Sequence, residues 1–176
     1  MRILKWIGGI LVLIVTVFLI GGYLLPQQVT VARSVEINAT AGDVFPHVNS
    51  LKAAQKWSPW MERDPDVKTT YSGPDSGVGS KLAWSSEHPQ VGNGNQEIIL
   101  SEPDQRVETA LDFGEMGLAK AGFLLEENAG VTTVTWTLDT DMGSNPVGRW
   151  MGLMMDRWVG ADYELGLSNL KSLIEK

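Results

Sequence analysis

The sequence predicts an α+β domain behind one transmembrane helix, with a curved antiparallel sheet of about seven strands around a long C-terminal helix. Three observations predict it. Trp6 to Leu25 is a run of 20 residues without a charge. Short, partly alternating segments then follow one another between turn residues. From Pro146 onward the apolar period becomes helical. The 176 residues fit an anchor over 1–26 and one domain over 27–176, with no repeat or linker dividing the latter.

The first run is long enough to cross about 30 Å of hydrocarbon at 1.5 Å per residue. Trp6 and Tyr23 stand near its ends, where aromatic rings favour the interface, and Pro26 closes it. A cleaved secretory signal is the competing reading. The run exceeds a typical signal core and no Ala-x-Ala-like site follows, although Gly21-Gly22 offers small residues. Arg2 and Lys5 precede the run, and Arg33 is the lone basic residue from Pro26 to Ser50. The positive-inside rule therefore predicts a single-pass protein of the cell (inner) membrane, N-terminus cytoplasmic and domain on the extracytoplasmic side.

Val29–Ile37 alternates as a half-buried strand, with Arg33 interrupting its apolar face. Thr40 followed by Asp43 resembles a capping box, so a helix begins near Ala41, short or kinked because Pro46 removes a backbone donor. A second short helix is expected from Leu51 to Lys56, ending before Ser58-Pro59. Strands are expected at 68–72, 80–86, 95–101, 106–113, 120–126 and 131–139, their close spacing favouring antiparallel hairpins. A helix of about 28 residues starts at Pro146, capped by Ser144 or Asn145. Its stripe of Trp150, Met154, Trp158, Ala161 and Leu165 is expected to face the sheet.

Composition removes several function classes. With no Cys there is no disulfide, thiolate site, c-type haem attachment or cysteine nucleophile. The net charge of −7 becomes −9 once Arg2 and Lys5 are set aside, which argues against nucleic acid and against lying flat on anionic lipid. His47 and His88 are far apart and satisfy no ligand spacing, so no metal and no cofactor is expected. Glu62, Asp64 and Asp66 lack the calcium-loop pattern and read as a solvated loop. Gly73 to Gly79 lacks the Lys and following helix of a phosphate loop and reads as a hairpin turn. Ser58 has no base that can be placed beside it and reads as a turn residue before Pro59, no Gly-x-Ser-x-Gly elbow occurs, and no catalytic set emerges.

Several motifs carry a resemblance. They are Val44-Phe45 after Ala39-Thr40-Ala41, Trp57-Ser58-Pro59-Trp60, and Tyr71-Ser72-Gly73-Pro74 running to Gly77-Val78-Gly79. The last is Gly160-Ala161-Asp162-Tyr163-Glu164 continuing to Gly166-Leu167 and Leu170-Lys171. With the element order, they resemble the START-like, helix-grip (SRPBCC) superfamily, and within it bacterial polyketide cyclase/dehydrase-type proteins, over residues 28 to 176. Pro46 departs from the usual first helix. The resemblance implies a cavity between sheet and terminal helix but no single reaction.

Aromatic mass points the same way. Six Trp follow the anchor, more than a minimal core of this size requires. The expected cavity lining is Trp57, Trp60, Tyr71 and Trp84 from the first half, and Phe113, Phe123 and Trp136 from the later strands. Trp150, Met154 and Trp158 complete it from the last helix, where Gly148 and Gly152 leave one face thin. The leading expectation is a membrane-tethered, monomeric module that binds a hydrophobic small molecule or lipid. The alternative is a cyclase/dehydrase-type enzyme for a polyketide-like or other apolar substrate, with Tyr71, Tyr163, His47 and Asp162 as candidates. A chaperone-ATPase activator is a third reading, opposed by the extracytoplasmic placement.

Overall fold

A computed structural model describes Arg2–Lys176, with side chains described from Trp6 onward. Arg2 and Lys5, on which the membrane orientation rests, lie outside the described side chains. Helix α1 (Arg2–Leu24) stands apart from the domain core, with most of its apolar surface exposed. Within it, Trp6–Leu24 has a mean hydropathy of 2.5 and is long enough to cross a membrane, a length that a signal sequence shares.

Strand β1 (Gln28–Ile37) leads to three short helices, α2 (Ala41–Val48), α3 (Leu51–Ala54) and α4 (Pro59–Arg63). Thr40 caps α2 by accepting from the Asp43 N–H at 3.2 Å. Pro46 sits inside α2, which still buries Val44 and Val48. Gly42 and Pro46 both face solvent, so the carbonyl that Pro46 leaves unpaired can bond water. Helix α4 departs from the expectation of a plain turn, because Pro59 takes the first helical position, where its missing N–H costs nothing.

Six strands follow: β2 (Lys68–Ser72), β3 (Lys81–Ser85), β4 (Asn93–Glu102), β5 (Arg106–Asp112), β6 (Leu118–Asn128) and β7 (Val131–Asp141). All seven form one antiparallel sheet in the order β1-β7-β6-β5-β4-β3-β2, with a bulge in β4 between Ile98 and Leu100. The β2–β3 turn needs glycine at position 73, which holds φ +76° and where a Cβ would overlap the Gly79 carbonyl. Helix α5 (Pro146–Ile174) is capped by Asn145, whose side chain accepts from the Val147 N–H at 2.9 Å. This is the expected helix grip, with α5 lying along β1 and α2 against β6 and β7.

Register and alternation settle which side chains face inward. Val31, Val35 and Ile37 of β1 share a face with Val134, Trp136 and Leu138 of β7 and with Ala121, Phe123 and Leu125 of β6. Val107 and Thr109 of β5, Ile98 of β4 and Leu82 of β3 continue that face, and all four are buried. The face of α5 laid on it consists of Gly152, Gly160, Tyr163, Gly166, Leu167 and Leu170. The expected inward stripe is therefore corrected: Met154, Trp158, Ala161 and Leu165 point away from the sheet and are exposed. Glycine on the buried face lets the helix backbone approach where large side chains already stand. At Gly166 a Cβ would lie 2.8 Å from the Trp136 ring and 3.2 Å from Pro59 Cδ.

A candidate apolar site inside the helix grip

Trp136 is the centre of the interior. Tyr163 stacks on it at 3.8 Å between ring centroids, and Phe123 stacks at 5.0 Å. Trp57 and Trp60 meet it edge-on at 5.3 and 5.9 Å. Each ring is supplied by a different element, so the grip itself assembles the cluster. Trp57 Nε1 donates to the His47 carbonyl at 3.1 Å, tying the α3–α4 loop to α2. Trp136 is only 6% exposed, yet its Nε1 donor has no partner. A buried donor without an acceptor costs about 1–3 kcal/mol, so it marks a place where an acceptor belongs.

A second aromatic group lies toward the β2–β5 edge. Trp84 meets Phe113 edge-on at 5.9 Å, and its Nε1 donates to the Val91 carbonyl at 3.3 Å. Gly94 passes under the Trp84 ring, where a Cβ would stand 2.5 Å from it. Trp60, Tyr71, Trp84, Leu111, Phe113 and Met155 pack against the core but stay half-buried, which leaves an apolar rim open on one side. The buried Tyr71 hydroxyl makes no hydrogen bond, with Gln55 and Thr69 as polar neighbours, and burial pushes its pKa up. Inside, Gln96 Nε2 donates to Thr109 Oγ1 at 3.1 Å, so this polar pair is satisfied.

Seven of the expected lining residues thus belong to the interior or its rim: Trp57, Trp60, Tyr71, Trp84, Phe113, Phe123 and Trp136. The other three do not. Trp150 stacks on Phe18 of α1 at 5.4 Å, while Met154 and Trp158 are exposed. Tyr163 and Leu111, neither of them in the expected lining, join the interior, and Gly160 and Gly166 were the signal that α5 turns this side inward.

The four candidates for catalysis stay separate. Tyr163 is stacked and buried, its hydroxyl 3.5 Å from the Thr137 carbonyl and its pKa pushed up by burial. Asp162 is held by Arg63 of α4 in a two-point pair at 2.5 and 3.1 Å. Burial, and then Lys56, hold the pKa of His47 down. None of these shares a hydrogen bond with Tyr71 or with another of the four. Among the described residues no group of three or more His, Asp or Glu could hold a metal ion. Arg33, the charged interruption of the β1 face, is absorbed by α5. Its guanidinium lies over Gly160, where a Cβ would overlap it, and bonds Asp156 at 2.8 Å and Glu164 at 2.6 Å. That pairing holds the Asp156 carboxyl below the usual range.

A cavity of about 810 Å³ lies on the other side of the sheet. Its lining comes from one band across all seven strands and includes Thr70, Lys81, Asn95, Ala110, Lys120 and Asp139, whose side chains point away from α5. It is open to solvent, with Lys81 and Glu97 paired at 3.1 Å in its lining. Beneath the helix the rings gather around Trp136, and the half-buried residues form the rim beside them.

The sequence matches, over residues 28–175, the family described as polyketide cyclase/dehydrase and lipid transport. No curated protein matches the chain. Among solved structures, the di-domain ARO/CYC StfQ from the steffimycin biosynthetic pathway is similar at a TM-score of 0.63 and 10% identity, over 85% of this chain and 52% of StfQ. Protein CV1439 from Chromobacterium violaceum aligns at 0.58 and 14% identity, over 84% of this chain and 98% of its own. A Rhodobacter sphaeroides protein aligns at 0.60 and 15% identity, over 84% and 92%. At such identities the structures share the fold. With the family's match covering nearly all of the chain beyond α1, the protein belongs to the polyketide cyclase/dehydrase and lipid transport family.

Proposed function

We propose that the protein is a membrane-tethered module that holds a hydrophobic small molecule or lipid inside the helix grip, on the extracytoplasmic side of the cell (inner) membrane. The observation that carries this reading is the unpartnered Trp136 Nε1 at the centre of an aromatic interior. A mostly apolar ligand with one hydrogen-bond acceptor satisfies that donor and gains ring contact on several sides. The half-open rim at Trp60, Trp84, Leu111 and Phe113 is its way in. Tethering rests on the length and hydropathy of α1. The family description and the ARO/CYC name of StfQ support a ligand that is apolar and cyclic or chain-like. Catalysis on such a ligand is the second reading, and Tyr71, with its buried and unpartnered hydroxyl, is the residue that favours it.

Native mass spectrometry of the full chain in mild detergent tests the binding reading. The expected spectrum shows one small apolar molecule retained, and Trp136→Phe weakens retention by roughly tenfold, the upper end for one net hydrogen bond. A spectrum of the bare chain, together with unchanged Trp fluorescence on titration with fatty acids and polycyclic aromatics, overturns it.

A further inference from the structure

The exposed stripe of α5 is an unsolved surface. Val147, Met151, Met154 and Trp158 follow the i, i+4, i+7, i+11 spacing of a single helical face. They are 48%, 53%, 38% and 52% exposed. A helix normally buries such a stripe, and this one buries its glycines instead.

What adjoins the stripe identifies its occupant. The first turns of α5 are clamped to the last turns of α1. Trp150 stacks on Phe18 and its Nε1 donates to the Phe18 carbonyl at 2.9 Å. Arg149 donates to the Tyr23 and Leu25 carbonyls at 3.0 and 3.3 Å, capping the end of α1. The backbones approach closely because Gly21 and Gly22 stand at the crossing, where Cβ atoms would lie 2.9 Å from the Trp150 ring and 2.5 Å from Pro146. Phe18 and Leu19 are accordingly the least exposed of the large apolar side chains of α1.

Depth then follows from helix geometry. Phe18 precedes Leu24, the end of α1, by six residues, or about 9 Å of helix rise. A surface helix lays its apolar face about 5–10 Å into the headgroup and acyl boundary. Trp150, fixed beside Phe18, stands at that depth whenever α1 spans a bilayer. The stripe beside it then continues the lipid-facing surface of α1 without a break. Met and Trp are suited to that boundary, one by its flexible apolar chain and the other by its amphipathic ring. The domain's charge of −9 beyond Arg2 and Lys5 supplies no attraction to anionic headgroups, so contact relies on apolar burial.

We propose that Val147, Met151, Met154 and Trp158 form a membrane-seating surface, by which the domain rests in the headgroup–acyl boundary of the bilayer that α1 crosses. This inference rests on the reading of α1 as a membrane span. It gives the domain a fixed attitude toward the bilayer.

The cysteine-free sequence allows single labels to test it in the full chain. Leu13→Cys, Met151→Cys, Met154→Cys and, as a solvent control, Ser168→Cys are each labelled with an environment-sensitive fluorophore and reconstituted in phosphatidylcholine vesicles. Labels at 13, 151 and 154 should lose roughly half their emission to lipid-borne nitroxide, and the label at 168 should respond only to aqueous iodide. Quenching by lipid at 13 alone, with 151 and 154 open to iodide, overturns the proposal and leaves the span standing. A label at 13 that lipid does not quench overturns the span, and the proposal with it. Labels at 151 and 154 shielded from both quenchers, with energy transfer between copies, assign the stripe to a second copy of the chain and overturn the proposal.

Discussion

The two halves of α5 are made of similar material and meet opposite surroundings. Before Gly160 the helix carries Trp150, Met151, Met154 and Trp158, and it sends its stripe outward. From Gly160 on, it buries Tyr163, Leu167 and Leu170 against the sheet and closes on the Trp136 ring through Gly166. The difference teaches that the size of the opposing surface decides which face a helix buries. Where Trp136 and Phe123 of the sheet and Trp57 of the α3–α4 loop already stand, a glycine face fits and a tryptophan face does not. Apolar content is therefore a poor guide to which part of this helix stabilises the fold.

Truncation is the strongest test of that contrast. Leu170→Ala should cost about 2–5 kcal/mol in urea unfolding, since a fully buried side chain leaves a cavity. Met154→Ala should stay within about 0.5 kcal/mol of the parent, as surface changes do. Comparable losses at the two positions would break the comparison. Next in size is Gly166→Ala, whose added methyl meets the Trp136 ring at 2.8 Å and should cost about 1–3 kcal/mol with an altered near-ultraviolet dichroism. Gly152→Ala meets Val29 Cγ2 at 3.0 Å and Met142 Cγ at 3.2 Å, side-chain atoms that need give by only a few tenths of an ångström. Its loss should be the smaller of the two.

Trp150→Ala probes the front half differently. It removes the ring that stacks on Phe18 and the donor to the Phe18 carbonyl. Proteolysis between Leu25 and Gln28 should accelerate in detergent while the melting of the domain is unchanged, and a lowered melting temperature would count against a purely docking role. The smallest effect expected is a pH dependence at His47. Burial holds its folded pKa below 6.5, so the unfolded chain binds the proton more readily. That contribution is fully present above pH 6.5 and is lost as pH falls through the lowered folded value. His47→Gln should flatten this slope, and an unchanged slope would assign it to another group. At more acid pH the carboxyl of Asp141 adds a second loss of the same sign, because the Gly143 N–H and then Gln27 hold its pKa down.

Much of this architecture was legible from period and punctuation. Alternation placed Val134, Trp136 and Leu138 on one face, and the sheet keeps them there. Strand ends differ by at most two residues, as at β6, which runs 118–128 where 120–126 was expected. Two things were not legible. Ser58-Pro59 reads as a turn but starts a helix, which tertiary contact holds, with Arg63 of α4 reaching Asp162 of α5. The direction of the α5 stripe was misread because a 3.6-residue period identifies an apolar face without naming what it faces. The spacing of Gly152, Gly160 and Gly166 held the answer, since small residues mark where two backbones or a ring and a backbone must come close. Of the expected aromatic residues, those before α5 lie in the interior or at its rim, and Trp150 and Trp158 of α5 do not.

The pairing of β1 with β7 has a kinetic consequence. Gln28 lies opposite Asp141 and Ile37 opposite Thr132, so the first strand made is completed by the last. Every other neighbour in the sheet joins consecutive strands, which can zip locally as hairpins. The search that brings β1 to β7 spans nearly the whole domain, and loop-closure entropy makes it the slow step of folding. Until residue 141 has been synthesised, β1 is an open edge beside the apolar helix that precedes it, and a growing chain must keep that edge from pairing with a neighbour's.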